Sequence, residues 1–188
     1  ITGDFEARAR ALYEAGVKVL CVDVAHGHHS LMKNALSLLR NIFGKEIHLM
    51  AGNVATQEGF EMLADWGADS VRVGIGGGSI CSTRLVSGHG VPTLQSVLEC
   101  AKSSYSTKII ADGGIRSSGD IVKAYAAGAD FVIVGSVLAG TRETPGEVFS
   151  KASGEKYKVY RGMASSSAQK AWRGKSSTPE GVSTTISY

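Results

Sequence analysis

Several features that mark large classes of proteins are scarce in this sequence of 188 residues. Its 3 cysteines, an odd and small number, argue against a disulfide framework and indicate a reducing compartment, so we expect a cytoplasmic protein. The 20 Lys and Arg against 17 Asp and Glu leave a net charge of +3 with no basic run, which argues against a nucleic-acid partner. The longest apolar stretches, such as residues 131–134, are strand-sized, and residues 1–4 show no basic-then-apolar leader. We therefore expect no membrane span and no secretory signal.

Glycine, by contrast, is abundant. The chain has 24 glycines, about 13% of its residues, where the average is about 7%. Only 3 prolines accompany them, so the composition is not that of a low-complexity linker. Hydrophobic residues make up 43% of the chain and charged residues 20%, as in proteins with a folded core. We infer that the glycines are needed at individual backbone positions.

Apolar runs of strand length alternate with helical patterns. The runs are nearly continuous, which is typical of strands buried on both faces of a parallel sheet; they cover residues 17–24, 47–54, 70–76, 108–114 and 130–136. Helices are predicted over residues 30–43, 57–66, 93–103 and 118–127. In the first helix we expect a buried stripe of Leu31, Ala35, Leu38, Leu39 and Ile42. Gly-Ala-Asp occurs twice, at 67–69 and 128–130, and each time a glycine cap ends the helix just before a strand.

These repeated units predict an α/β fold, either a barrel or a doubly wound sheet. Two observations favour a (β/α)8 TIM barrel: no Gly-x-Gly-x-x-Gly follows the first strand, and functional-looking residues follow every strand. Only about five βα units are recognisable, so we expect a partial barrel over residues 1–150. Residues 151–188 are predicted to contribute a hairpin, with strands at 147–150 and 156–160, and a mobile flap in the same domain.

The loop at residues 74–84 carries the strongest chemical signal. Its glycines allow a tight bend and a close backbone approach to a ligand or ion, and Cys81 lies beyond the carboxyl end of a strand, where barrel chemistry occurs. A thiolate there can attack an electrophilic carbon, with Thr83 nearby to form hydrogen bonds. The alternative is a glycine-rich turn with an incidental cysteine. We expect Cys21 and Cys100 to be small core residues.

Two later loops resemble phosphate sites. Asp112, Gly113 and Gly114 follow one predicted strand, and Gly135 and Ser136 follow the next, each before a helix. Backbone amides that are freed of side chains at such a position bind anions, and neighbouring late loops of barrels often share one phosphate. The alternative is that these glycines serve only tight packing.

The earlier loops are less specific. Three histidines fall within residues 26–29, but they lack the spacing of a helical metal site, so we do not predict a metal there. Asn53 and Arg72 are expected at the mouth or in the interior of the barrel. The alternative for each is a structural role, with its polar atoms fully hydrogen-bonded within the protein.

Motifs in five segments together resemble the IMP dehydrogenase / GMP reductase family. They are residues 74–84, Ala-Asp-Gly-Gly-Ile at 111–115, Val-Gly-Ser at 134–136, Thr-Pro-Gly-Glu at 144–147 and Tyr-Lys-Val-Tyr-Arg-Gly-Met at 157–163. The resemblance covers nearly the whole chain in the right order. It implies a TIM barrel, of which this chain resembles the C-terminal half to two-thirds, without the first strands and the last helix.

The resemblance also implies roles for individual residues. Cys81 matches the nucleophile that attacks purine carbon 2, and Thr83 and Glu180 match the pair that handles protons for the leaving ammonia. The residues that match nucleotide ligands are Ser79, Asp112, Gly113, Gly114, Gly135, Ser136, Tyr160, Gly162, Met163 and Ala164, where the family typically has Gly at the position of Ala164. Those that match the nicotinamide side are Asp23, Val24, Ala25, Asn53, Arg72 and Gly74. The backbone carbonyls of Gly76, Gly78 and Cys81 match a monovalent-cation loop, which makes potassium an expected cofactor beside NADPH or NAD.

Two activities remain open within the family. The flap at residues 163–179 has no Arg-Tyr pair to activate water and is shorter than the flap of the dehydrogenases, which favours GMP reductase over IMP dehydrogenase. Against this preference, the segments at residues 25–28 and 140–143 resemble bacterial dehydrogenases as much as reductases. A third alternative is an inactive nucleotide-binding fragment. The resemblance implies a homotetramer that binds a purine nucleotide monophosphate.

Overall fold

The computed structural model describes residues 3–177, 179 and 181–188, and in this part of the chain helices and strands alternate for most of the length. The helices are α1 (Phe5–Glu14), α2 (Ser30–Phe43), α3 (Gln57–Asp65), α4 (Thr83–Ser87), α5 (Thr93–Cys100), α6 (Ser118–Ala126), α7 (Ser136–Ala139) and α8 (Ser166–Arg173). The strands are β1 (Val19–Asp23), β2 (His48–Val54), β3 (Ser70–Val73), β4 (Lys108–Asp112), β5 (Phe131–Ile133), β6 (Phe149–Ser150), β7 (Lys156–Arg161) and β8 (Ser183–Ser187). None of the described helices has the length and apolar character needed to cross a membrane.

Strands β1 to β5 form one parallel sheet in sequence order, which confirms the predicted run of βα units. The helices cover one face, where Leu20, Val22 and Leu49 belong to the hydrophobic core. The register pairs Asp23 with Gly52 and Gly52 with Arg72, so these residues lie in one row on the opposite face. That face is the one that a closed barrel turns inward.

Helix α2 shows how the sequence fixes a local element. The His29 side chain caps its first turn by accepting from the Leu31 amide at 3.1 Å, and Gly44 follows its last residue. Its buried residues are Met32, Ala35, Leu36, Leu39 and Phe43. Both ends agree with the prediction, but the expected stripe was wrong in part, because Leu31 is 50% exposed.

The glycines that follow three of the helices have positive φ angles, as glycine caps do. Gly16, Gly67 and Gly128 have φ angles of 91°, 105° and 108°, each two residues after the last residue of α1, α3 and α6. A side chain at such φ values is strained, so glycine is favoured there. Helix α1 itself was not predicted, because Ala9 is its one buried residue among those described and it carries little apolar pattern.

A second, antiparallel sheet has the order β6-β7-β8. It confirms the predicted hairpin, whose β6 and β7 pair Phe149 with Tyr157, and it adds β8 on the other side of β7. The hairpin begins before residue 151, so the predicted boundary at 150/151 falls within this sheet. The Lys158 ammonium is buried beneath it, where it donates to the carbonyls of Thr141 and Thr144 at 2.7 and 2.5 Å.

The segment expected to be a mobile flap contains α8. The Ser165 hydroxyl caps this helix by accepting from the Ala168 amide at 3.3 Å, and Gly174 ends it with a φ of 71°. Ala168 and Gln169 are buried. The Ser, Lys and Gly composition suggested a loop, but these residues are the caps and the solvent face of a short helix.

The repeated Gly-Ala-Asp ties neighbouring strands together. The Asp69 carboxylate accepts from the Leu49 amide of β2 at 2.8 Å, and Asp130 makes the same bond to the Ile109 amide of β4 at 2.8 Å. Arg40 also donates to Asp69 at 2.5 Å. Burial raises the pKa of Asp69, but the hydrogen bonds from Leu49 and Arg40 outweigh that effect, so the pKa lies below its ordinary value.

Asp69→Asn is expected to lower the free energy of unfolding by about 1–3 kcal/mol at neutral pH, because two charge-assisted hydrogen bonds are weakened. The folded pKa of Asp69 lies below the unfolded value of about 3.9, so its contribution is present above that pH and is lost as the pH falls through the folded pKa. Urea unfolding at pH 7 and pH 3 measures this, with the exposed Glu147→Gln as a control of equal charge change. A difference between wild type and variant that persists undiminished at pH 3 contradicts it.

Candidate active site

The Cys81 thiol lies in the loop between β3 and α4, at the carboxyl end of the parallel sheet. It is partly buried, and its Sγ donates to the Thr83 Oγ1 at 3.2 Å. Cys100 is buried as expected, and burial raises the pKa of its thiol to about 12. The expectation for Cys21 was wrong: it is exposed, because it alternates with the buried Leu20 and Val22 and so points to the opposite face.

Two glycine loops touch through bare backbone. A Cβ on Gly74 would lie 2.2 Å from the Asp112 carbonyl oxygen, and one on Gly113 would lie 2.9 Å from the Gly77 carbonyl carbon. Both glycines also have positive φ angles, 138° and 97°. The loop that carries Cys81 is therefore held directly against the loop after β4, with no room for a side chain between them.

A partly buried network of charged and polar side chains joins four strands at this edge. The Arg72 guanidinium donates through Nε and Nη2 to one oxygen of Asp112, Oδ2, at 3.0 and 2.7 Å, and its Nη1 lies 2.9 Å from Asp23 Oδ1. Asn53 Nδ2 donates to the same Asp112 Oδ2 at 2.8 Å. Burial lowers the pKa of Arg72, but Asp112 and Asp23 outweigh it and raise the pKa above its ordinary value. Among the described residues no group donates to Asp112 Oδ1, which leaves that oxygen for a ligand.

Two cavities open on this edge and share the wall formed by Gly78, Asp112 and Gly113. The first, of about 130 Å³, is named here the phosphate-side cavity; the predicted nucleotide ligands that line it are Ser79, Asp112, Gly113, Gly114, Gly135, Ser136 and Tyr160. The second, of about 220 Å³, is named the thiol-side cavity; the predicted residues that line it are Asp23, Ala25, Asn53, Arg72, Gly74, Gly76, Gly78, Cys81, Asp112, Gly113 and Ala164. Most of the predicted nucleotide ligands thus line one cavity, and most of the residues predicted on the nicotinamide side line the adjacent one.

Not every predicted residue lines these cavities. Val24 is half-buried and pairs through its backbone with Gly52 and Asn53, and Met163 is 69% exposed. Gly162 packs against Ile80, the residue before Cys81. Glu180 lies outside the described residues.

Backbone contacts bring residues 162, 181 and 182 close to the loop that carries the thiol. The Val182 amide donates to the Ile80 carbonyl at 3.1 Å, the Gly162 amide donates to the Val182 carbonyl at 3.2 Å, and Gly181 forms an isolated bridge with Cys81. These bonds bring the segment after β7 to the loop that carries Cys81, and Ala164 lines the thiol-side cavity.

Arg116 also lines the phosphate-side cavity, together with Ile115 and Ile133; the sequence analysis did not predict Arg116 or Ile133 as site residues. A signal for Arg116 was available, because it is a cation two residues after Gly114, in the turn before α6. The described residues contain no cluster of three or more His, Cys, Asp or Glu side chains able to hold a metal ion.

Comparison with known proteins identifies the family. The model of the IMP dehydrogenase / GMP reductase domain matches residues 1–188. The chain belongs to this family. It is 51% identical over 172 residues to inosine-5'-monophosphate dehydrogenase from Nitrosopumilus maritimus, covering 89% of this chain and 35% of that protein. It is also 51% identical over 160 residues to GMP reductase from Leishmania major, covering 84% of this chain and 32% of that protein.

A solved structure shows the same fold. A cysteine-to-alanine variant of GMP reductase from Trypanosoma brucei, crystallised with guanosine 5'-monophosphate, is 44% identical and superposes with a TM-score of 0.93 over 100% of this chain and 40% of that one. The chain thus forms part of a TIM barrel, which confirms the predicted fold class. It spans about a third of the length of the curated relatives it matches.

Gly113→Ala is expected to lower the free energy of unfolding by about 2–4 kcal/mol, the sum of left-handed strain and a collision with the backbone of residues 77 and 78. Gly44→Ala is the matched control, because its φ is also positive, 55°, but a Cβ there meets nothing within 4 Å. That control is expected to cost about 1–2 kcal/mol from strain alone. Urea unfolding compares them, and equal losses contradict the close contact of the two loops.

Proposed function

We propose that the protein is a purine nucleotide oxidoreductase that acts at carbon 2 of a purine 5'-monophosphate, and specifically a GMP reductase. The observation that carries this proposal is the Cys81 thiol, hydrogen-bonded to Thr83, at a cavity that shares a wall with a second, hydroxyl- and glycine-lined cavity. Membership of a family whose named members are IMP dehydrogenases and GMP reductases supports it.

The two cavities suit the two ends of a nucleotide. The hydroxyls of Ser79, Ser136 and Tyr160 and the open backbone of Gly114 and Gly135 line the phosphate-side cavity and offer hydrogen bonds to a phosphate. Asp112 Oδ1 has no donor among the described residues and stands between the cavities, where it can accept from ribose hydroxyls. The base then lies at the thiol, beside Ala164 and the segment of Gly162 and Met163.

The proposed chemistry begins with the sulfur. The Cys81 thiolate attacks carbon 2 of GMP, a bond from Sγ to carbon 2 forms, the bond to the exocyclic nitrogen breaks, and that nitrogen leaves as ammonia after gaining a proton. Thr83, which contacts the sulfur, and Glu180 are the residues proposed to move protons for this step. Asn53 and the other residues of the thiol-side cavity would hold a reduced nicotinamide, which would supply a hydride to carbon 2; the bond between carbon 2 and Sγ would then break, giving IMP and the free thiolate.

The residues around the thiol-side cavity fit such a cofactor. Asn53 Oδ1 is buried and has no hydrogen-bond donor among the described residues, so it can accept from an amide such as a nicotinamide carboxamide. Asp23, Ala25, Arg72 and Gly74 surround the same space, and the half-buried Val24 lies beside it. We assign NADPH, or alternatively NAD(H), to this cavity.

The short flap favours the reductase. Ser165 and Gly181 form a backbone bridge, so only 15 residues of sequence separate these two paired positions, and none of the 15 is a tyrosine. A hydrolytic step needs a group that activates water, and such proton transfer contributes roughly 10² to 10⁴-fold.

IMP dehydrogenase is the second candidate, because relatives with that name are as similar in sequence as those named GMP reductase. A nucleotide-binding piece without turnover is the third. We further propose a cytoplasmic homotetramer, as the family resemblance implies.

The loop of Gly76, Gly78 and Cys81 is proposed to hold a potassium ion through backbone carbonyls, which replace the hydration shell of that ion. The Gly78 carbonyl accepts from the Cys81 amide at 3.2 Å and keeps a second lone pair for a cation. Such an ion would stabilise the loop that positions the thiol.

Cys81→Ala is expected to lower turnover by roughly 10⁴-fold or more, because no covalent adduct can form. Nucleotide affinity is expected to change little, since the phosphate and ribose contacts remain; calorimetric titration with GMP measures it. Cys21→Ser, at an exposed thiol on the same sheet, is the control and is expected to keep its activity. Turnover of the Cys81 variant near the wild-type rate contradicts covalent catalysis.

Absorbance at 340 nm distinguishes the candidate activities. With GMP and NADPH a reductase consumes the reduced cofactor and releases ammonia, whereas with IMP and NAD a dehydrogenase produces it. We expect consumption with GMP and a negligible signal with IMP. Production of the reduced cofactor from IMP and NAD, without its consumption in the presence of GMP, establishes the dehydrogenase. No change in absorbance with either pair establishes the binding fragment.

Replacing K⁺ with Li⁺ at constant ionic strength is expected to lower turnover, because the smaller and more strongly hydrated ion fits a carbonyl loop poorly. The matched measurement is GMP affinity, which should change less than the rate. Equal rates in both salts contradict the proposed cation loop.

A further inference from the structure

The phosphate-side cavity has an unusual charge balance for its proposed ligand. Its phosphate-binding groups are all neutral: Ser79, Gly114, Gly135, Ser136 and Tyr160. Asp112 adds a negative charge to the same wall, although Arg72 pairs with that carboxylate at 2.7 Å. Neutral hydrogen bonds alone would therefore have to hold an anion next to a carboxylate.

A phosphate monoester carries a charge of about −1.5 to −2 at pH 7. Taking such a group out of water is costly unless an opposite charge and hydrogen bonds compensate it. The cavity thus needs a cation, and an Arg fork suits phosphate oxygens best.

Arg116 is the cation that fits this need. Of the described residues that line the cavity, it is the single positively charged one. It is exposed, and its guanidinium forms no ion pair with a carboxylate in the described part of the chain. Its side-chain charge is therefore available.

The backbone of Arg116 is nevertheless fixed. Its amide donates to Asp120 Oδ2 at 3.1 Å, and the Ser117 hydroxyl donates to the same oxygen at 3.0 Å. The other oxygen, Asp120 Oδ1, lies 3.5 Å from the Lys123 ammonium. Asp120 is thus occupied by backbone, hydroxyl and Lys123, and it holds the turn in place without neutralising the Arg116 guanidinium.

We propose that Arg116 is the charge partner of the nucleotide 5'-phosphate and determines the preference for a phosphorylated over an unphosphorylated nucleoside. This inference rests on the proposed purine nucleotide site, but not on the direction of the reaction, because GMP and IMP carry the same phosphate.

Calorimetric titration with GMP, IMP, guanosine and inorganic phosphate tests the proposal. Arg116→Gln is expected to weaken GMP and IMP binding by roughly 10- to 100-fold, the loss typical of a charge-assisted pair. Guanosine affinity should not change, and the rate at saturating GMP should stay near that of wild type. Arg116→Lys keeps the charge and should recover part of the affinity.

Lys33→Gln is the control, because it removes one positive charge from an exposed residue of α2 that does not line the phosphate-side cavity. It should leave GMP affinity unchanged. Raising the salt concentration should weaken GMP binding more in wild type than in Arg116→Gln. Salt screens the pair between Arg116 and the phosphate, and the variant lacks that pair.

The outcomes separate this proposal from the proposed function. Arg116→Gln that binds GMP as tightly as wild type overturns the role of Arg116, whatever reaction the enzyme performs. An equal loss for guanosine, or an equal loss in Lys33→Gln, also overturns it. Phosphate-selective loss in a protein that does not reduce GMP supports Arg116 and rejects the reductase, and wild-type protein that binds neither nucleotide nor phosphate rejects both.

Discussion

The site depends on one contact, the meeting of two glycine loops through their backbones. At Gly74 and Gly113 a single added carbon would fall within 2.2 Å and 2.9 Å of the facing backbone. This contact makes Gly78, Asp112 and Gly113 a common wall of the two cavities. The position of the thiol relative to the phosphate-side cavity is therefore set by main-chain packing, which is less adjustable than side-chain packing.

The charge network gives this arrangement its second constraint. Arg72 holds Asp112 and Asp23 from opposite sides, and Asn53 adds a hydrogen bond to Asp112. Partly buried ion pairs of this kind contribute little net stability but are costly to break on one side. The network consequently fixes the orientation of Asp112, and it directs the free Oδ1 to where a sugar hydroxyl is proposed to bind.

Much of the fold follows from the sequence, and the exceptions have physical reasons. Continuous apolar runs located all five parallel strands, and helix propensity with capping residues located α2, because both signals are local. Such runs do not reveal which face a residue takes, so Cys21 was assigned to the core, although the alternation with Leu20 and Val22 turns it outward. The stripe of α2 was partly misplaced for a similar reason, since the sheet selects Met32 and Leu36 over the equally apolar Leu31.

The site was predictable to the extent that it consists of loops after strands. The glycine loops indicated both cavities. Arg116 was missed because its proposed role depends on the neutrality of Gly135, Ser136 and Tyr160, which lie 19 to 44 residues away along the chain. The packing of α8 was also hidden, because its Ser and Gly caps resemble a loop in composition.

The covalent bond between Cys81 and the purine is the central chemical claim. Rapid acid quench of the protein during turnover with GMP, followed by peptide mass spectrometry, detects such a bond directly. A purine nucleotide attached to the peptide that contains Cys81, with none on the peptides of Cys21 and Cys100, is the predicted result. Complete recovery of free nucleotide and unmodified Cys81 at saturating GMP, in a protein that turns over, would contradict it.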